Sequence, residues 1–293
     1  MELNYIIKKS ELSIKQILKE HFQMSDRYIL KLKNNKCILV NGLPVFINHP
    51  IHVGDTLTIK DNISEESPNI ISNENILLNI IYEDNYLLVV NKPTNLPVHP
   101  SVLHYNDSLS NAVKAYFEKI NLKRKIHPVN RLDKDTSGIV IFAKNEYIQE
   151  CLIKQMKNGT FQKFYIALLT GSLENESGTI DFPIARKPGS IMERIVSADG
   201  EIAITNYKVI KHLNNMTQVE FSLKTGRTHQ LRVHSKHIGH PIVGDSLYGT
   251  SSTLINRQAL HAYKIEFIHP ISKTVLCLTA PLPEDIKSVI EKK

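Results

Sequence analysis

The stretch "NRLDKDTSGIVIFA", Asn130 to Ala143, constrains this chain more than any other. "GIVIFA" is an unbroken apolar run rich in β-branched residues, the pattern of a strand covered on both faces. Arg131, Asp133, Lys134 and Asp135 crowd into five residues just ahead of it. A turn into such a strand needs a glycine and one Asx or Ser residue. It does not need two carboxylates and two cations, and Asp133, four residues before the strand, is expensive there unless paired or functional. A turn carboxylate bonded to backbone amides explains Asp135 as well as chemistry does, but explains Asp133 less well. A two-aspartate metal site is a further alternative. It lacks a third acidic ligand nearby and has Lys134 between its carboxylates.

At 293 residues the chain has room for two domains. Residues 1–60 hold nine Lys/Arg against five Asp/Glu, more than half of the chain's excess of +7. They read as a small α/β unit. "SIKQ" is a capping box, with Ile14, Ile17, Leu18 and Phe22 on one helical face. Ser25 caps a second helix. "CILVNG" runs into an Asn41-Gly42 turn with "PVFI" able to pair back, and "VGDTLTIK" gives a last strand. Residues 61–84 then carry six acidic residues and no Lys or Arg. That shift marks a linker and boundary, giving a unit over 1–75 and another over 76–293.

In the second unit strand signals outnumber helices. "NYLLVVNKP", "GIVIFAK" and "FQKFYIALLTG" read as strands, the last with Lys163, Tyr165 and Ala167 on one face. "TNYKVIKHL" with "TQVEFSLK", and "LHAYKIEFIHP" with "TVLCLTAP", read as antiparallel pairs. "SNAVKAYFEKI" and Asn145 to Gly159 read as helices. The expected class is α+β: a small N-terminal α/β module, then a domain on a mixed, mainly antiparallel sheet flanked by helices. Three scattered cysteines without a CxxC make a disulfide framework or thiolate metal site a poor fit and suit a reducing cytosol. The opening "MELNYIIKKSEL" has no signal-peptide core, and no apolar run approaches the ~18 residues of a membrane span. The expectation is a cytoplasmic chain with no membrane contact.

Two further stretches carry chemistry. "TGRTHQLRVHSKHIGHPIVGD" is a turn into a helix bearing His229, His234, His237 and His240. Their spacing spreads them around a helix instead of converging them on one ion, and Arg227 and Arg232 would repel it. Polar histidines on an anion-facing helix are the better reading, with Arg232 in the first turns, where backbone amides attract anions. Lys123, Arg124, Lys125, His127 and Arg131 form a basic stripe ahead of the aspartates. Alone it reads as a solvated loop; beside a candidate catalytic carboxylate it reads as a polyanion track.

"RLDKDTSG", "EDNYLLVVNKPTNLPVHP", "KFYIALLTG", "TGRTHQLRVHSKHIGHPIVGDSLYG" and "LHAYKIEFIHP" together, in this order, resemble the RluA/RluD family of RNA pseudouridine synthases. Residues 13–60 resemble the small RNA-binding module named after a small-subunit ribosomal protein. The resemblance implies an isomerase that detaches uracil from its ribose, turns it and rejoins it through carbon 5, with no cofactor and no metal. It makes Asp133 the essential residue, either as nucleophile on sugar or base or as base toward the 2′ position. It implies that Arg232 holds Asp133 ionised, and that Tyr165 packs against the target base, with removal of the carbon-5 proton as a further role. A uracil in folded RNA must be flipped out to react. Arg131 matches the residue that fills the vacated space, and Leu260 the apolar lining of the uracil pocket. Asn130 stands where the family usually has His, so altered substrate contacts are expected there. Arg227 and His229 complete the expected substrate-binding set.

The implied partner is structured RNA: large-subunit ribosomal RNA, with transfer RNA as the alternative, acted on by a monomer. Two rival functions are a non-catalytic RNA-binding protein, which would not need Asp133, Tyr165 and Arg232 together, and a metal-dependent phosphodiesterase using Asp133 and Asp135.

Overall fold

The structure, a computed structural model, describes residues 1–8 and 13–291. The first unit is a four-stranded sheet with two helical segments. Its strands are β1 (Glu2–Ile6), β2 (Ile38–Val40), β3 (Leu43–Pro44) and β4 (Thr56–Lys60), in the order β1-β4-β2-β3. Helix α1 (Ile14–Gln16) starts in the expected capping box and runs on as a π-helical turn, Ile17–His21. Helix α2 (Asp26–Asn34) is capped by Ser25, whose Oγ accepts from Tyr28 N at 3.2 Å. Asn41 and Gly42 both take positive φ, as a tight hairpin turn requires. The return strand is shorter than "PVFI" suggests, with only Leu43 and Pro44 paired.

The larger unit is α+β. A ten-stranded sheet is built from β5 (Ile80–Glu83), β6 (Leu87–Lys92), β7 (His127–Pro128), β8 (Ser137–Ala143), β9 (Gln162–Thr170), β10 (Ser177–Asp181), β13 (Ile204–Leu213), β14 (Met216–Leu223), β15 (Leu260–Ile268) and β16 (Val275–Thr279). A separate hairpin pairs β11 (Ile184–Arg186) with β12 (Arg194–Val196). The path runs β10-β13-β14-β9-β15-β8-β6-β5, with β16 on β15 and β7 on β8. Every named pair is antiparallel except β15 with β8. Helices α3 (Leu109–Lys119), α4 (Glu146–Lys157), α5 (Gln230–His237) and α6 (Glu284–Glu291) cover the sheet.

The parallel contact explains part of the opening motif. His261 pairs with Ser137 and Ala262 with Gly138, and Ser137 Oγ meets His261 Nδ1 at 2.9 Å. Gly138 has φ +117°, and a Cβ there would lie 2.2 Å from the carbonyl oxygen of Ala262. Only glycine lets the two backbones approach this closely at that angle. All seven residues of β8 are buried, as the apolar run predicts.

Composition marks 61–84 as a linker, yet its first part is bonded into the structure. Asp61 is buried and accepts from the Tyr28 hydroxyl at 2.7 Å and from Arg124 Nη1 at 3.0 Å. Ser67 Oγ accepts from Ile126 N, and the carbonyl of Ile71 accepts from Asn111 Nδ2. The two units share one apolar core, in which Tyr28 stacks on Tyr147 with ring centroids 5.8 Å apart. Ser25 donates to Glu150 at 2.8 Å across the same seam. Arg124 is therefore a structural cation and His127 is buried, which removes both from the expected basic stripe.

Burial alone would raise the Asp61 pKa, but the bonds from Tyr28 and Arg124, and the Arg124 charge, outweigh it and hold the carboxyl below its ordinary value of 3.8. A depressed folded pKa adds stability above the unfolded value, and that stability is lost as pH falls through the folded one. Asp61→Asn is expected to lower unfolding free energy at pH 7 by about 3–5 kcal/mol, because Arg124 stays buried without its counter-charge. Below pH ~4 the wild type should lose much of this advantage, which denaturant titrations at several pH values would read. Gly138→Ala is expected to cost about 3 kcal/mol or more in the same assay, since strain and clash fall together.

Candidate active site

Above β9, β14 and the loop into β8 lies a cleft of about 890 Å³. All eight residues singled out from the sequence line it: Asn130, Arg131, Asp133, Tyr165, Arg227, His229, Arg232 and Leu260. Arg131, Lys157, Lys163, Lys224, Arg227 and Arg232 are among its lining residues, against one acidic residue, Asp133. That imbalance suits a polyanion.

Asp133 leaves the loop ahead of β8, where Thr136 N bonds its carbonyl at 3.1 Å. Its side chain is 28% exposed, while the guanidinium it meets, Arg232, is 9% exposed. Arg232 Nη1 donates to Asp133 Oδ2 at 3.1 Å. The fork faces elsewhere: Arg232 Nε and Nη2 donate to Asp245 at 2.6 and 2.9 Å. The expected pairing of Arg232 with Asp133 exists, but the two-pronged bond belongs to Asp245. Asp245 is buried and also accepts from the backbone N–H groups of Leu247 and Tyr248. The Tyr248 ring lies under the guanidinium, 5.0 Å from Arg232 Cζ to the ring centroid. Burial works against the Arg232 cation, but Asp245 and then Asp133 more than compensate, and its pKa is raised.

Asp245 and Tyr248 are what the sequence reading overlooked. Both stood in "GDSLYG", the tail of a stretch already singled out, and the buried guanidinium needed exactly such a counter-charge nearby in space, if not in sequence. Gln230 was also overlooked. Its Oε1 accepts from Thr225 Oγ1 and Arg227 N, and its Nε2 donates to Ile204 O and Thr205 Oγ1, which pins the "TGRTH" turn.

Tyr165 is buried, and burial, then the charge of Asp133, pushes its phenol pKa up, so it stays protonated at neutral pH. Lys163, two residues earlier on the same strand face, also lines the cleft; burial lowers its pKa. Leu260 is buried in the cleft wall. His229 takes φ +56°, a strained choice for a residue with a Cβ. Its Nδ1 meets the Tyr248 hydroxyl at 2.8 Å and its Nε2 lies 3.7 Å from Asp133 Oδ2. Burial lowers its pKa, with Asp133 opposing.

Three expectations change. Asn130 was expected to contact substrate, but its Nδ2 donates to Ile139 O and its Oδ1 accepts from Ile141 N, both at 2.9 Å. The amide staples the approach of the Asp133 loop to β8, a structural role. Arg227 lines the cleft, but its Nε donates to Ile202 O and its Nη1 pairs with Glu201, which turns the guanidinium toward the chain ahead of β13. The histidines of α5 do not share an anion-facing surface. His234 is fully buried, bonded to Thr205 Oγ1 and Phe182 O, while His240 bonds Thr170 O.

The comparisons with known proteins bear on this geometry. The family model described as RNA pseudouridylate synthase matches residues 86–237, just over half of the chain. The chain belongs to that family. The synthase is accordingly an isomerase acting on RNA, and its residues 1–57 match the model described as RluD ribosomal pseudouridine synthase N-terminal domain. It is 38% identical over 252 residues to the uncharacterized RNA pseudouridine synthase YjbO of Bacillus subtilis, covering 86% of this chain and 89% of that one. It is 35% identical over 298 residues to ribosomal large subunit pseudouridine synthase D of Buchnera aphidicola, covering 94% and 92%. Among solved structures, human RNA pseudouridylate synthase domain containing 1 superposes with a TM-score of 0.57 at 25% identity, covering 74% of this chain and 86% of that one. No helix among the described residues is long and apolar enough to cross a membrane.

Asp245→Asn is expected to free the Arg232 fork toward Asp133 while leaving a buried charge half-compensated. Unfolding free energy should fall by about 3–5 kcal/mol. Turnover on RNA should fall with it, and a pH–rate profile recorded below the unfolding midpoint would separate the two effects.

Proposed function

We propose that the synthase converts specific uridines of large-subunit ribosomal RNA to pseudouridine, with Asp133 as the essential carboxylate. The observation that carries this is the pairing of half-exposed Asp133 with buried Arg232 beside buried Tyr165, inside a cation-lined cleft. The ribosomal target is supported by the relatives named ribosomal large subunit pseudouridine synthase D and by the N-terminal match. In this reading residues 1–75 are an RNA-binding module with its linker, and 76–293 the catalytic domain.

The reaction breaks the bond from ribose carbon 1′ to uracil N1 and forms one from carbon 1′ to carbon 5. A proton leaves carbon 5 and one is gained at N1, so atoms and electrons balance without a co-reactant. The Asp133 carboxylate serves either as nucleophile on sugar or base or as base toward the 2′ position, and Arg232, bonded to it at 3.1 Å, holds it in place as water is displaced. Tyr165, a neutral phenol, packs on the base. Arg131, exposed beside Asp133, fills the space left by the flipped uridine, and Leu260 lines the pocket it enters.

Transcriptome-wide pseudouridine mapping in cells with and without the gene should show sites lost from large-subunit ribosomal RNA. Loss from transfer RNA instead would move the target. On the mapped RNA, Asp133→Asn should abolish conversion while RNA affinity and the unfolding midpoint stay near wild type. Wild-type turnover in that variant would end the assignment of Asp133.

A further inference from the structure

After β6 the chain passes Pro97, Val98 and His99, which line the cleft, and turns sharply at "SVLHY". Ser101 and His104 close this turn with two backbone bonds, each 3.1 Å. At its tip Val102 is 98% and Leu103 88% exposed, and Tyr105 follows at 57%. Together they make a small apolar tip held out into water.

The turn is braced at its foot. His104 Nδ1 meets Asp107 Oδ2 at 2.8 Å, Asn73 Nδ2 donates to Asn106 O at 2.8 Å, and Asn111 Nδ2 to Tyr105 O at 3.2 Å. The segment that leads into it is bonded to the loop of Asp133, with Leu96 N donating to Lys134 O at 3.1 Å and Lys92 Nζ to the same carbonyl at 2.9 Å. The charge of Arg131 adds to burial in lowering the His99 pKa, and Lys134 is among the charges that lower Asp107, after His104 itself.

A partner for this tip must offer apolar faces a few residues along the chain from Pro97, Val98 and His99, which line a cleft rich in Lys and Arg. Nucleobases on a phosphate backbone offer both. Three side chains are too small a patch for a stable protein interface, which buries about 1,200–2,000 Å². Proteins that distort nucleic acid drive Leu, Ile or Phe between base steps, and aromatic side chains then stack on the exposed base.

We propose that the turn 101–105 is a wedge that separates the target uridine from its neighbour, with Val102 and Leu103 entering the base step and Tyr105 stacking on the neighbouring base. The wedge rests on the RNA-modifying reading above. Arg131 then fills the gap from the catalytic loop while the turn holds the neighbouring base apart.

The test uses the full-length protein and a hairpin RNA cut around the mapped uridine, with 2-aminopurine placed beside it. Wild type should raise the 2-aminopurine fluorescence on binding. The double variant Val102→Ser/Leu103→Ser should lose most of that rise and show KM raised about tenfold, the factor made by about 1.4 kcal/mol, with kcat within about twofold. Tyr105→Ala should behave alike but more weakly. On an unstructured strand of the same local sequence, variants and wild type should have equal KM. The side chains are exposed, so an unchanged unfolding midpoint is expected and would be checked alongside. Equal fluorescence and equal KM on the hairpin would overturn the wedge, as would a defect seen only on ribosomal particles, which would assign the tip to a protein. A wild-type protein that makes no pseudouridine would overturn the function on which the wedge rests, and the wedge with it.

Discussion

One guanidinium holds this site together. Arg232 is buried on the first turn of α5 and is shared between two carboxylates of unequal exposure. Asp245, fully buried, takes the two parallel bonds, and Asp133 takes the remaining one. In the proposed reaction the division matters, because a carboxylate gripped by both prongs would be a poor reactant. The structural acid absorbs most of the bonding of the cation, and the cleft-facing acid keeps a free oxygen. The turn that carries Asp245 also brings Tyr248 beneath the guanidinium and against His229, so one short segment fixes both neighbours of Asp133.

Backbone packing sets the other side. The one parallel strand pair among the described residues puts the end of the Asp133 loop against β15, and Gly138 makes that contact possible. Asn130 bonds twice to β8 from the far end of the same loop. Asp133 therefore sits in a loop clamped at both ends, which in the proposed reaction would suit a carboxylate that meets a flipped nucleotide without itself moving.

The sequence disclosed what is local and strongly patterned. The buried strand, the capped helices and the density of charge before β8 could all be read, because burial on both faces and caps leave signatures within a few residues. The charge density singled out Asp133, the family pattern named Tyr165 and Arg232, and all three line the cleft. The rest depends on distance along the chain. Strand β1 was missed because its alternation is weak and its partner lies fifty residues on. The hairpin of β11 and β12 has only three residues in each strand, too short for an alternation to show, although Ile184 is buried and Val196 packs near it. His234 looked like a surface residue because nothing near it in sequence shows that Thr205 and Phe182 would enclose it. Asp61 sits in an acidic, linker-like stretch, and only the fold supplies Tyr28 and Arg124 as its partners.

That last contact has a wider consequence. Tyr28, Asp61 and Arg124, with the stacked Tyr28 and Tyr147 rings, leave no free joint between the two units. A jointless pair works as a gauge. Whatever RNA touches the first unit and the cleft at once must present its two points of contact at a single fixed spacing. Were the first unit to bind RNA as proposed, two uridines in identical local sequence would be told apart by the architecture around them, with the length of the protein serving as the measure.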